Sequence, residues 1–206
     1  MDFESIMNMP FIGQTITSAI EDGRKWGQTF LNDSSWHGDK DSMANHAIYE
    51  STVWSVGNGI ASGVVGIAGI PFEIASTLYA QVKLASTLFA IHEINTYNPS
   101  AQPLVLAAAA GVGVSELANQ LGTQVGTQVG TQAIQKALRS IPGKTFAEIN
   151  KALGIKLISK AGEKTLVNVV KIVPFIGPPI IGTINGAMMN ACGHSVIAFI
   201  HAWKRL

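Results

Sequence analysis

From Ile172 to Trp203 the chain runs 32 residues without an aspartate, glutamate, lysine or arginine, and Lys204 and Arg205 follow at once. A stretch this long and this apolar is expected to bury its surface in protein or in lipid. As one helix from Pro179 it would extend about 37 Å, enough to cross a hydrocarbon core of about 30 Å. The helical wheel argues against crossing. At about 100° per residue, Thr183, Asn190, His194 and His201 fall in one stripe. Opposite it lie Ile181, Met189, Cys192, Val196, Phe199, Ile200 and Trp203. A lone span would bury the polar stripe at a cost. The run is therefore expected to close a helical bundle, with its stripe toward a neighbour, a cavity or lipid headgroups. Asn185 interrupts the apolar face, and its amide is expected to find structural hydrogen-bond partners.

The rest of the chain shares this economy of charge. Charged residues make up 13% of the 206, about half the share of an ordinary soluble domain. The net charge of +1 conceals an asymmetry: residues 1–135 hold 4 basic and 11 acidic side chains, and residues 136–206 hold 10 and 2. Lys151, Lys156, Lys160, Lys164 and Lys171 belong to the basic part. Lysines beside an apolar run are attracted to an anionic bilayer surface, at roughly 1 kcal/mol each when well placed. The first residues lack the basic start and apolar run of a secretory signal, which predicts a cytoplasmic protein. Cys192 is the single cysteine and falls on the apolar face, where an inert buried thiol is expected.

Apolar residues recur at three and four throughout, predicting an all-α fold, a compact multi-helix bundle with closely packed glycine-rich helices. Residues 12–31 read as an amphipathic helix and the polar run that follows as a loop. A second helix is expected from near Ser42, and Pro71 must break or kink it, because proline lacks an amide proton and collides with the preceding turn. After Pro71 an apolar stripe of Ile74, Ala75, Leu78, Val82, Ala85 and Phe89 predicts a bundle helix with Glu73, Ser76, Thr77, Lys83 and Thr87 on its other side. Pro103 suits the first turn of the next helix. Residues 121–133 repeat Gly-Thr-Gln-Val, stacking Gly122, Gly126 and Gly130 into a ridge that lets helix backbones approach. Thr145 and Glu148 form a capping box, with Gly154 as the terminator.

Two segments carry a family resemblance. The first is G-V-V-G-I-A-G-I-P-F-E-I at residues 63–74, with L-Y-A-Q-V-K-L-A at 78–85. The second is V-K-I-V-P-F-I-G-P-P-I-I-G-T-I-N-G-A at 170–187. Together they resemble the EcsC family over roughly residues 45–206. Residues 1–41 form an N-terminal helix and loop ahead of an EcsC-like helical domain at 42–206. The family typically has an aspartate before the proline, where this chain has Ile70. Where the family has a glycine after the long helix, this chain has Asn98, which is able to take the left-handed turn. The resemblance implies a membrane-associated helical protein on the cytoplasmic side, an accessory to a membrane transporter, and no settled activity.

No constellation announces catalysis. His194 and His201 sit about 10 Å apart along a helix axis, too far to chelate one metal together. The glycines at 57–69 lack the lysine and hydroxyl of a phosphate loop. The basic block has one aromatic, Phe146, and no nucleic-acid reader motif, so no nucleic-acid partner is expected. An enzyme would draw on Glu73, Gln81, Lys83 and His92, the best cluster of reactive groups on one element. The leading reading is a non-enzymatic protein without cofactor or metal, held peripherally on the inner face of a membrane. Its lysines, with Lys204 and Arg205, would meet anionic lipid, and Trp54, Phe72, Phe175 and Trp203 would sit at the interface. Glu73, Gln81, Lys83, His92, Asn185, His194 and His201 are candidates for a polar site. Alternatives are a carrier with an apolar pocket for a lipid or other hydrophobic small molecule, and a conditionally inserting, pore-forming protein switched by His194 and His201. A membrane-protein partner and self-association stay open.

Overall fold

The computed structural model describes residues 10–65, 70–98, 101–121, 131–140, 144, 148–149, 151–157 and 177–206. Side chains are described within these ranges except at 10–12, 57–65, 70–74, 120, 131–133, 135 and 177–184. Among the described residues the fold is all-α: α1 (Pro10–Asn32), a 3-10 turn (Ser34–Trp36), α2 (Lys40–Val65), α3 (Ile70–Ile91), α4 (Gln102–Ala109), α5 (Val114–Gln120), α6 (Thr131–Ser140) and α7 (Gly177–Lys204). Residues 151–157 are also helical, Gly154 included, so that glycine does not end the helix it was expected to end.

Two long pairings organise the bundle, α1 along α3 and α2 along α7, with α3 also meeting α2, α4 and α7. The expected N-terminal helix is thus packed within the bundle. Its contact with α3 depends on Gly23 and Gly27. A Cβ on Gly23 would lie 2.2 Å from the Lys83 carbonyl oxygen, and one on Gly27 would lie 2.5 Å from Ala90 Cβ. Glycines four apart let two backbones touch, and hydroxyls then bridge them. Ser86 Oγ donates to the Ile20 carbonyl at 2.6 Å, and Thr87 Oγ1 to the Gly23 carbonyl at 3.0 Å. Ser86 and Thr87 are fully buried. The side of α3 that its polar residues marked for water is therefore partly an inner face against α1.

Helix ends follow local chemistry. Asp39 Oδ1 accepts from the Asp41 and Ser42 amides at 3.1 and 3.0 Å, capping α2 two residues before the expected start. Beyond α3, Glu93 takes a left-handed φ of 59°, and the Ile94 amide donates back to the Phe89 carbonyl at 2.9 Å. The left-handed residue is therefore Glu93 and not Asn98. Gly111 plays the same part after α4, at φ 68°. Pro71 lies in the first turn of α3, where its missing amide costs little.

The wheel drawn for the chargeless C-terminal run holds along α7. Met189, Cys192, Val196, Phe199, Ile200 and Trp203 are buried, whereas Asn190, His194 and His201 are exposed. Gly193 of α7 sits against the Ile48 side chain of α2. Among the described residues no helix is long and apolar enough to cross a membrane. Residues 122–130 of the glycine repeat, Thr145, Phe146, Phe175, Lys160, Lys164 and Lys171 lie outside the described residues, as do the side chains of Phe72, Glu73, Ile181 and Thr183.

Candidate functional site

A half-open cleft of about 310 Å³ opens where α1, α2 and α3 meet, lined by Trp26, Glu50, Ser51, Trp54, Tyr79, Ala80 and Lys83. That size is at the lower end for small-molecule sites. Packing fixes its walls. Phe30 packs at a tilt against Trp26 and Trp36 and edge-on to His46, at centroid distances of 5.7, 5.6 and 6.0 Å, tying α1 to the 3-10 turn and α2. Tyr79 donates its hydroxyl to Asp22 at 2.6 Å. Burial and that carboxylate push the Tyr79 pKa up to about 12, so it stays a neutral donor at physiological pH.

Two charged groups border the cleft and differ in their engagement. Glu50 Oε1 lies 2.9 Å from His46 Nε2. Lys83 forms no ion pair among the described residues; its ammonium lies 5.2 Å from the Trp26 ring centroid. Its backbone is held by the close approach of Gly23. On the outer side of α2, beside the mouth, Tyr49, Val53 and Trp54 are 66%, 52% and 49% exposed.

The other candidate residues divide between a second cluster, the core and the surface. His92 follows the last residue of α3 and is 6% exposed. Lys204 donates to its Nδ1 at 3.3 Å, which leaves the proton of the neutral ring on Nε2. Nε2 is buried and without a partner among the described residues. The His201 ring stands edge-on at 6.1 Å. Burial first, then Lys204 and His201, lower the His92 pKa to about 4. Lys40 at the start of α2 pairs with Glu93 beside this cluster. Gln81 is buried, with Oε1 lacking a hydrogen-bond partner among the described residues, and Asn185 is buried.

Lys83 and His92 therefore belong to two different places, and the single reactive cluster expected on α3 is split. Among the described residues, no group of three or more histidines, cysteines or acids is placed to hold a metal. Trp203 is 4% exposed and stacks on Phe199 at 6.5 Å, so it is a core residue and not the interfacial anchor expected of it. Lys156 pairs with Glu116 at 3.1 Å, and Lys151 is partly exposed. Arg205 donates to the His201 carbonyl at 3.2 Å. Cys192 is buried, its thiol 3.6 Å from the Ala109 carbonyl. The sequence reading missed the cleft, since Trp26, Ser51 and Tyr79 lie on three helices. Their only local signal was an aromatic set on helices otherwise poor in charge.

A scan against protein-family models, a search of curated proteins and a search of solved structures each gave no match to this chain.

Proposed function

We propose that the protein is a peripheral membrane protein that rests the outer side of α2 on a lipid surface and receives amphiphiles through the adjoining cleft. The observation that carries this reading is the exposure of Tyr49, Val53 and Trp54 together beside a cleft walled by Trp26, Trp54 and Tyr79. Neighbouring exposed apolar side chains mark contact surfaces, and tryptophan and tyrosine suit the headgroup layer, where one end is apolar and the other wet. The basic excess of residues 136–206 favours an anionic leaflet. The motif resemblance to EcsC proteins points the same way, toward the inner face of a membrane and service to a transporter there.

Vesicle flotation tests the reading. The protein is expected to rise with vesicles containing phosphatidylglycerol, less with pure phosphatidylcholine, and less again in high salt, as the Debye length falls to about 3 Å at 1 M. Val53→Asp should reduce flotation several-fold. Equal recovery of Val53→Asp and wild type would count against α2 as the contact face.

A further inference from the structure

We infer that the cleft between α1, α2 and α3 is a binding site for a single-chain amphiphile with an anionic head, which Lys83 engages while Trp26 and Trp54 cover the first carbons of the chain. The inference rests on the proposed membrane reading only for the source of the ligand. Its geometry stands alone. A cleft of about 310 Å³ holds a head and a short length of chain, and the remainder of a longer chain has a path outward over exposed Trp54 and Val53.

Charge sets the sign of the head. Lys83 is partly buried, and its ammonium lies near the Trp26 ring and forms no ion pair among the described residues. An ammonium that has given up part of its hydration gains from an incoming phosphate or carboxylate. Glu50 also lines the cleft and opposes an anion, but its Oε1 is engaged by His46. Ser51 adds a hydroxyl to the same lining. The alternative chemistry is a quaternary ammonium held by the aromatic walls and Glu50. Lys83 disfavours it, since its own cation already lies near the Trp26 ring.

Tryptophan fluorescence and calorimetry of the full chain, titrated with octyl phosphate below its micelle concentration, test the assignment. Octyl phosphate is expected to bind, while octyl glucoside and inorganic phosphate bind at least ten-fold more weakly. Lys83→Gln should weaken octyl phosphate about ten-fold, and Glu50→Gln should tighten it several-fold. Ser51→Phe, which fills the cleft from the opposite wall, should abolish binding with helical content retained. Unchanged affinity in Lys83→Gln, or tetramethylammonium binding that Glu50→Gln weakens, overturns the inference. Inorganic phosphate binding as tightly as octyl phosphate also overturns it, by showing an anion site indifferent to the chain. Wild-type flotation read in parallel separates the two claims. Octyl phosphate binding without flotation keeps the cleft and removes the membrane, and flotation without binding does the reverse.

Discussion

His92 shows how a single side chain can set the response of this molecule to acid. Its folded pKa of about 4 lies below the ordinary 6.5, held there by burial, Lys204 and His201. A histidine with a depressed folded pKa binds its proton more readily in the unfolded chain. The stability it protects is therefore whole above about pH 6.5 and is lost as pH falls toward 4, by on the order of 3 kcal/mol. Denaturation midpoints measured from pH 7.5 to 4 should decline across that window in the wild type and decline much less in His92→Leu. Parallel curves would show that other groups dominate. His194 and His201, singled out from sequence as the acid sensors, are exposed. The two tryptophans expected at an interface also separate at this scale. Trp203→Ala opens the core and should cost roughly 3–5 kcal/mol, whereas Trp54→Ala, half exposed, should cost far less. Comparable losses in chemical denaturation would contradict the burial that distinguishes them.

At the scale of the helix, glycine has opposite consequences at two places in α1. Gly23→Ala pushes a Cβ into the Lys83 carbonyl and should destabilise by roughly 1–3 kcal/mol, because backbone cannot step aside as a flexible side chain can. Gly13 has nothing within 4 Å of a built Cβ, so Gly13→Ala should stabilise by about 0.5–1 kcal/mol through helix propensity. Thermal melts of the two variants should move in opposite directions, and a shared direction would show that α1 does not pack on α3 as described. These glycines also show what the sequence made legible. Periodicity announced the helices and the inward face of α7, because each depends on residues three or four apart on one element, whereas the missing amide of Pro71 marked a helix boundary. The meaning of Gly23, Gly27, Ser86 and Thr87 depends on which helix lies opposite, and no local pattern records that. The principle of glycines spaced by four was read at residues 122–130, which lie outside the described residues, and was overlooked at 23 and 27. A wheel also treats every polar residue as solvent-facing, which fails wherever a hydroxyl bridges two backbones.

For the whole molecule, the apolar side of α7 from Met189 to Trp203 is core, paired with α2. Pairing α2 with α7 and α1 with α3 leaves Tyr49, Val53 and Trp54 on the outside of α2, next to the cleft the three helices enclose. The proposed lipid contact therefore lies on α2 and not at the end of α7. The most direct measurement is quenching by brominated lipids in phosphatidylglycerol vesicles, comparing wild type with Trp54→Phe and taking the difference as the Trp54 signal. This signal is expected to shift to the blue, to be quenched by bromines near the headgroup, and to become shielded from acrylamide. A Trp54 signal that stays accessible to acrylamide when the protein is fully bound to vesicles would contradict the proposed contact.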